Sequence, residues 1–371
     1  MGSFLTGSVK TVSLGLIASL SVVLILSLES VKAPKSDPLF SRKLAAAELM
    51  RTSMGAVREE RVRLGIPIDP ALDPNRTGMI GSEYTDLTTT LGSLSSKRTS
   101  TNPNFAGAVI GMLYEAGVKP GGCVAISFSG SFPALNIAVL AAVHTMRLRP
   151  AIISSVGASM YGANEPELTW LDMERILRQR GILPYASSAA ALGGIVETEG
   201  GLDGTGMGAG LRAVERCGVP YLEEHGERTI ESDIERRMAI YNIVLGGSRP
   251  DAYINIGGSL TSLGTCPEAA MLPTGLMHRV RRCSKPGRGI IFRMGEMGVP
   301  VIHLLNIKRI ARRYGLPSDP VPLPPVPDGQ VMKTYAYPVL PSASAIALLC
   351  LLLIILKGRL SPASTSTRTA N

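Results

Sequence analysis

The sequence has few of the residues that mark several common classes of protein. Its 371 residues include 5 cysteines, which are widely spaced and form no C-x-x-C pair: Cys123, Cys217, Cys266, Cys283 and Cys350. This spacing favours buried thiols and supports neither a zinc site nor a disulfide framework. We therefore predict no metal and no cofactor.

Aromatic residues are also scarce, at 5% of the chain. Proteins that bind single-stranded nucleic acids stack the bases on aromatic side chains, and other nucleic-acid-binding proteins carry recognisable motifs. No such motif occurs here, and the formal net charge of +9 is a mild bias for a chain of this length. The composition therefore predicts no nucleic acid as a partner.

Long apolar runs are present at both ends of the chain. Thr11–Leu28 and Val339–Leu356 contain no charged residue, and a helix of that length is roughly 27 Å long, close to the thickness of a bilayer's hydrocarbon core. We predict two transmembrane helices; a cleaved signal peptide is the alternative for the first. Two spans place both termini on one side of the membrane, and the flanking charges do not decide which.

Strand-like and helix-like segments alternate between these runs. Val124–Ser127 and Ala151–Ser155 are predicted strands that flank the predicted helix Ala134–Met146, and further strands are expected near Ala189, near Pro220, at Ala252–Ile256 and at Val299–Leu304. This alternation predicts an α/β fold, with a mostly parallel, doubly wound sheet of five to six strands, helices on both faces and a transmembrane helix at each end. Asp73–Thr101 is predicted to be a polar loop with a short strand around Leu87.

The predicted organisation has four segments. Residues 1–35 form the N-terminal anchor, and residues 36–316 form the α/β domain. Residues 317–338 form a tether, because proline is dense in this part of the chain and favours extended backbone. Residues 339–371 form the second transmembrane helix and a short basic tail.

Serines and glycines follow three of the predicted strands. In a doubly wound sheet, ligands bind beyond the carboxyl ends of the strands, where backbone N–H groups at helix N-termini stabilise anions. The turn after the predicted strand Val124–Ser127 has an alternative interpretation, which is an ordinary serine N-cap with packing glycines. The predicted ligand-binding residues are Ser127, Ser129, Gly130, Ser131, Asn136, Ser155, Ser159, Asn164, Glu165, Gly257, Gly258 and Ser259.

A catalytic role for this corner stays open. The sequence has no G-x-S-x-G nucleophile elbow, and only 4 histidines are present. His303 lies at the carboxyl end of a predicted strand and is the one histidine placed to act as a base for Ser129 or Ser131. These three residues are the catalytic candidates, although no local motif assigns nucleophile, base and orienting group together.

A basic run stands near the end of the predicted domain. Between positions 279 and 293 it contains six basic residues and no acid: Arg279, Arg281, Arg282, Lys285, Arg288 and Arg293. Such a run is usually a solvated face. Its functional interpretation is attraction for a polyanion.

Two resemblances to known families add to this interpretation. The strand and corner "ISFSGSF" resemble the serine-rich turn of the sugar isomerase domain, which implies a flavodoxin-like sheet and an anion pocket. On a larger scale, "SFSGSFPALNIAVLAAV", "GASMYGANEPELTWLDME", "INIGGSLTSLG" and "GVPVIHLLNIKRIARRYGLP" resemble the poly-gamma-glutamate system protein family over most of Ala71–Pro325.

The larger resemblance implies a role in the synthesis or export of poly-gamma-glutamate, the capsule polymer, at the cell membrane. The expected partners are the polymer, the ligase complex and its membrane subunits, and the α/β domain is expected on the extracytoplasmic side. We expect a component that binds the anionic polymer or organises the ligase. The alternative is a hydrolase or sugar-isomerase-like enzyme that acts on a carboxylated or phosphorylated substrate in the same pocket.

Overall fold

A computed structural model of the chain describes residues 2–35, 37–193, 202–222, 229–283 and 287–360. The strands are β1 (Ala33–Lys35), β2 (Thr88–Thr90), β3 (Cys123–Ser129), β4 (Arg149–Ser155), β5 (Ala158–Ser159), β6 (Asn164–Glu165), β7 (Leu168–Thr169), β8 (Ala189–Ala191), β9 (Ala252–Ile256), β10 (Gly275–Met277), β11 (Val301–Leu304) and β12 (Thr334–Ala336). The α-helices are α1 (Gly2–Val31), α2 (Phe40–Arg63), α3 (Leu94–Ser100), α4 (Phe105–Glu115), α5 (Pro133–Thr145), α6 (Trp170–Gln179), α7 (Gly204–Cys217), α8 (Ile230–Val244), α9 (Leu260–Leu263), α10 (Ile290–Glu296), α11 (Ile307–Arg313) and α12 (Val339–Leu360).

The two ends of the chain form one unit, up to Asp37 and from Lys333 onward. In this unit β1 pairs antiparallel with β12, and α1 contacts α12. The segments Val12–Val31 and Val339–Lys357 are long and apolar enough to cross a membrane. These two helices near the termini could therefore span a bilayer. The predicted basic tail after Leu360 lies outside the described residues.

The second unit, Pro38–Met332, is an α/β fold around a six-stranded sheet. The strand order is β10-β11-β9-β3-β4-β8, in which all neighbours pair parallel except β10, which is antiparallel to β11. The predicted mostly parallel sheet is therefore confirmed. The antiparallel edge strand was not predicted, because three residues are too short to show a hydrophobic period.

Both faces of the sheet are covered by helices. Along β3, Val124 and Ile126 belong to one hydrophobic cluster, whereas Cys123 and Ala125 belong to another. The first cluster includes residues of α2, α4 and α5, and the second includes residues of α8 and α10. Because successive side chains of a strand point to opposite faces, a strand that is apolar at every position is buried on both sides.

The segment predicted to be a polar loop contains a helix as well as a strand. The expected strand near Leu87 is β2, which pairs with β5, but Leu94–Ser100 forms α3. The side chain of Ser93 caps this helix by accepting a hydrogen bond from the backbone N–H of Ser96. The prediction missed α3 because its seven residues carry no apolar stripe. The strand expected near Pro220 is reduced to a single bridge between Ala190 and Tyr221.

The proline-rich segment is held against the α/β unit, whereas its composition predicts a free tether. Asn75 Nδ2 donates to the carbonyl of Pro320 over 2.7 Å, and Asn104 Nδ2 donates to the carbonyl of Pro325 over 3.0 Å. These amides satisfy carbonyls that proline-rich backbone cannot pair within itself. The compact unit therefore extends to Met332, beyond the predicted boundary at residue 316.

The prediction of buried thiols is wrong for two of the four cysteines outside the candidate spans. Cys266 and Cys283 form a disulfide, because the chain between them turns back through β10 and brings their Cα atoms to 5.9 Å. This separation is within the usual range for a disulfide. Cys123 and Cys217 are buried free thiols, as predicted.

Candidate functional site

The order of the strands places a cavity at the reversal point of the sheet. From β3 the chain crosses through α5 to β4 on one side, whereas from β9 it continues to β11 on the other side. Ligands of doubly wound sheets bind at the carboxyl ends of the strands at such a point. A cavity of about 380 Å³ lies there, and its walls include Ser129 at the end of β3, Ser155 at the end of β4 and Gly257 after β9.

Eight of the twelve predicted ligand-binding residues line this cavity. They come from three corners that the sequence places far apart, and the parallel strands bring these corners to one edge of the sheet. The eight residues are Ser127, Ser129, Ser131, Ser155, Ser159, Gly257, Gly258 and Ser259. The other four, Gly130, Asn136, Asn164 and Glu165, are not part of its wall.

Gly130 and Asn136 shape the corner from behind. A Cβ atom on Gly130 would lie 2.6 Å from the carbonyl oxygen of Val156, so that only glycine lets the two strand ends approach this closely. Asn136 is buried, and its Nδ2 donates to the carbonyl of Ser129 over 3.0 Å. Both residues hold the backbone at the end of β3 in position.

Asn164 and Glu165 anchor a neighbouring loop. Asn164 Nδ2 donates to the carbonyl of Ser82 over 2.8 Å, and Glu165 accepts a hydrogen bond from the hydroxyl of Ser82 over 2.6 Å. Glu165 also pairs with the buried Arg61 at 3.5 Å. Through these contacts, Asn164 and Glu165 hold the neighbouring loop in place.

The serines of the first two corners are connected by hydrogen bonds. The backbone N–H of Ser131 donates to Ser129 Oγ over 3.1 Å, and the backbone N–H of Ser159 donates to Ser131 Oγ over 3.0 Å. Each of these two hydroxyl oxygens thus accepts one backbone proton. Its own O–H remains available to a ligand in the cavity.

Ser127 is held by two tyrosines at the base of the cavity. The hydroxyls of Tyr241 and Tyr253 each lie 2.8 Å from Ser127 Oγ. Burial raises the pKa of Tyr253 to about 12 and raises that of Tyr241 well above its ordinary value, so both phenols are protonated at neutral pH. This network makes the base of the cavity rigid and uncharged.

Two basic side chains that the sequence analysis did not select also line the cavity. They are Lys97 on α3, which is 2% exposed, and Arg237 on α8, which is 6% exposed. Among the described lining residues there are nine serines, and there is neither aspartate nor glutamate. The wall therefore combines buried positive charge with hydroxyl donors, which is the chemistry of an anion site.

Lys97 has only neutral partners around its amine. Its Nζ lies 2.7 Å from Ser159 Oγ and 4.1 Å from the centre of the Phe132 ring, and it donates to the carbonyl of Ser131. Burial without a carboxylate partner lowers the pKa of Lys97 to about 7. No sequence motif marks this lysine, because its partners lie 34 and 62 positions further along the chain.

Arg237 is the second cation. Its Nε is buried and has no hydrogen-bond partner among the described residues. A buried guanidinium nitrogen without an acceptor is costly, so a ligand oxygen at this position would be stabilised.

His303 is placed differently from the other catalytic candidates. It is 1% exposed and is not part of the cavity wall, whereas Ser129 and Ser131 are. Its Nδ1 lies 3.0 Å from Asn255 Nδ2, and burial lowers its pKa to about 4. The structure therefore does not bring His303 to the cavity beside these two serines.

The basic run is divided among exposed and paired residues. Arg279, Arg281 and Arg282 are exposed, Arg288 pairs with Glu296 and Arg293 pairs with Glu231. Lys285 lies outside the described residues.

In the part of the chain that the structure describes, the one cluster with metal-ligand spacing is Cys266, Glu268 and Cys283. As a disulfide, the two sulfurs of this cluster offer no thiolate.

A cavity whose wall carries two buried basic side chains and several hydroxyl groups can hold a small anion. The sugar isomerase and poly-gamma-glutamate resemblances remain at the level of short sequence motifs. In comparisons with known proteins, no family model, no curated protein and no solved structure matches this chain.

Proposed function

We propose that this chain is a membrane-tethered anion-binding protein whose α/β unit holds carboxylates of poly-gamma-glutamate during synthesis or export of the polymer. The observation that carries the proposal is the cavity itself, where Lys97 and Arg237 are buried and no described wall residue is acidic. Poly-gamma-glutamate carries one carboxylate on every repeat. The choice of this polymer rests on the resemblance of the sequence motifs.

The size of the cavity limits what it can hold. A volume of about 380 Å³ lies near the lower end of the range for small-molecule sites, roughly 300–1,000 Å³. A cavity of this size accepts one or two repeats and not a long stretch of polymer. We therefore propose that the site takes the end of a chain or a short acidic segment, with the ligase complex and its membrane subunits as neighbours.

Replacing Arg237 with methionine is expected to weaken polymer binding by about tenfold to a hundredfold, because a hydrogen bond to a charged group contributes roughly 1.5–3 kcal/mol. Isothermal titration of the detergent-solubilised chain with poly-gamma-glutamate measures the effect. The matched control is Arg212→Met, since Arg212 is exposed on α7 and lies outside the cavity. Equal affinities for wild type and Arg237→Met would contradict the proposal.

The disulfide supports an extracytoplasmic position for the α/β unit. Disulfides persist in oxidising compartments and are rare in the cytoplasm of most cells. Cys266 and Cys283 lie in the α/β unit, which stands between the two candidate spans in the sequence. We propose that both termini face the cytoplasm.

A cysteine placed at Ser248 is expected to react with a membrane-impermeant maleimide in intact cells. Ser248 is exposed on the α/β unit, whereas Cys123 and Cys217 are buried and Cys350 lies in the candidate span Val339–Lys357, so the background labelling is low. A fluorescent protein fused to the C-terminus reports the opposite side of the membrane. If Ser248→Cys reacts only after the cells are lysed, the α/β unit lies in the cytoplasm and the proposed orientation is wrong.

A further inference from the structure

The amine of Lys97 and the hydroxyl of Ser159 form a pair that anion binding alone does not require. Their atoms lie 2.7 Å apart, both residues line the cavity and both are at least nine-tenths buried. The remaining partners of the amine are the carbonyl of Ser131 and the ring of Phe132, neither of which carries a charge. A serine beside a buried lysine without a carboxylate partner is an arrangement in which the lysine can act as a base.

The position of Ser159 is fixed from two sides. It ends β5, where it pairs with Thr90 of β2, and its backbone N–H donates to Ser131 Oγ. Lys97 is carried by α3, which follows β2 after a short connection. Ser159 and Lys97 thus lie on adjoining elements. These elements keep the hydroxyl and the amine at hydrogen-bond distance.

Lys97 can take up the proton. Burial lowers its pKa to about 7, so a large fraction of the lysine is neutral at neutral pH. A neutral amine has a lone pair that can accept the hydroxyl proton of Ser159. The amine still donates to the carbonyl of Ser131.

We propose that Ser159 and Lys97 are the nucleophile and the general base of an amide hydrolase, which cleaves an acidic polyamide held through its carboxylate by Arg237. The inference rests on the proposed function for the nature of the substrate. It assigns the roles of nucleophile and base to Ser159 and Lys97. The catalytic candidates from the sequence were Ser129 or Ser131 with His303.

In the first step, Ser159 Oγ attacks the amide carbonyl carbon and Lys97 Nζ takes the hydroxyl proton. The C–N bond then breaks, the same proton passes to the leaving amine, and an ester on Ser159 remains. Water attacks this ester, gives a proton to Lys97 and releases the carboxylic acid, after which the proton returns to Ser159. The free hydroxyls of Ser129 and Ser131 are donors for the oxyanion that forms in each attack.

The test uses the detergent-solubilised full chain, with poly-gamma-glutamate of either stereochemistry as substrate and the appearance of new amino groups as the readout. Ser159→Ala and Lys97→Met are each expected to lower the rate of cleavage by at least about a hundredfold, since a general base contributes roughly 10²–10⁴. The matched controls are Ser248→Ala and Lys119→Met, whose side chains are exposed outside the cavity. Circular dichroism establishes that each variant is folded.

Two further readouts separate catalysis from a structural role. The rate in wild type is expected to rise with pH through about 7 and then level off, because the base must be neutral. Lys97→Arg, which keeps the charge and cannot release its proton, is expected to lose cleavage. A fluorophosphonate is expected to label Ser159, as identified by mass spectrometry, in wild type and not in Lys97→Met.

The outcomes distinguish this inference from the proposed function. Polymer binding without cleavage in wild type, or cleavage that survives in Ser159→Ala, would overturn the catalytic pair and leave the anion site in place. Absence of both binding and cleavage would overturn the two proposals together. Cleavage that depends on Ser159 and Lys97 and is weakened by Arg237→Met would support both.

Discussion

Replacing Trp170 with alanine is expected to lower the free energy of unfolding by about 3–5 kcal/mol, the usual cost of removing a large buried aromatic side chain. Trp170 is fully buried, and its ring meets the ring of Phe128 edge to face at a centroid distance of 5.3 Å. Its Nε1 donates to Ser154 Oγ over 3.2 Å. The tryptophan therefore joins α6 to the ends of β3 and β4, directly behind the cavity.

Urea denaturation of the detergent-solubilised chain, followed by far-ultraviolet circular dichroism, measures this loss. Trp170→Phe keeps most of the ring and removes the indole N–H, so it is expected to cost about 1–3 kcal/mol through the lost hydrogen bond to Ser154 and the smaller volume. A loss below about 1 kcal/mol for Trp170→Ala would show that this residue does not hold the packing together.

A large pH effect is expected from Glu174, whose buried carboxyl is connected to Ser154 through Ser187, since the hydroxyls of Ser154 and Ser187 lie 2.6 Å apart. Its oxygens accept hydrogen bonds from the backbone N–H of Ser187 over 2.6 Å and from the Ser187 hydroxyl over 3.0 Å. Burial is the main cause that raises the pKa of Glu174 from 4.5 to about 7, although the hydrogen bonds from Ser187 act against it. The folded chain therefore holds a proton that the unfolded chain releases.

A raised pKa of a carboxyl group contributes stability that is complete below pH 4.5 and is lost as the pH rises through about 7. Relative to Glu174→Gln, the wild type is expected to lose about 3 kcal/mol of unfolding free energy between pH 4.5 and pH 8, at roughly 1.4 kcal/mol per unit of pKa shift. The buried bases Lys97 and His303 titrate in both proteins, so they cancel in the difference.

Urea denaturation of both proteins at half-unit steps of pH gives this difference directly. The matched control is Glu115→Gln, because Glu115 is exposed at the end of α4. A wild-type curve that runs parallel to that of Glu174→Gln would refute the assignment of the proton to Glu174.

Much of the fold follows from local sequence. The unit from β3 through α5 to β4 is predicted within a few residues, because apolar runs and the glycine and proline signals between them act over short distances. The start of α7 is less accessible to such reasoning. The helix begins at Gly204, because Asp203 caps it by accepting from the backbone N–H of Gly206. Four of the first seven residues of the helix are glycines, so helix propensity does not indicate this start.

The site was predicted only in part, and the division has a physical basis. Serines and glycines that follow strands can be selected from the sequence, since a strand end is a local feature and parallel strands share one carboxyl edge. Lys97 and Arg237 could not be selected. A basic side chain within a polar segment is usually solvated, and only the packing of α3 and α8 shows that these two are buried at the cavity.

By itself the sequence determined the two apolar terminal helices, the α/β class and the strand ends that carry hydroxyl groups, because each depends on residues close together in the chain. Only the tertiary structure decided the order of the strands, the disulfide between Cys266 and Cys283 and the meeting of Lys97 with Ser159. These features depend on contacts between residues 17 to more than 100 positions apart, such as Asp251 with Cys123. Such contacts form only when the whole sheet is assembled, so no local pattern of residues encodes them.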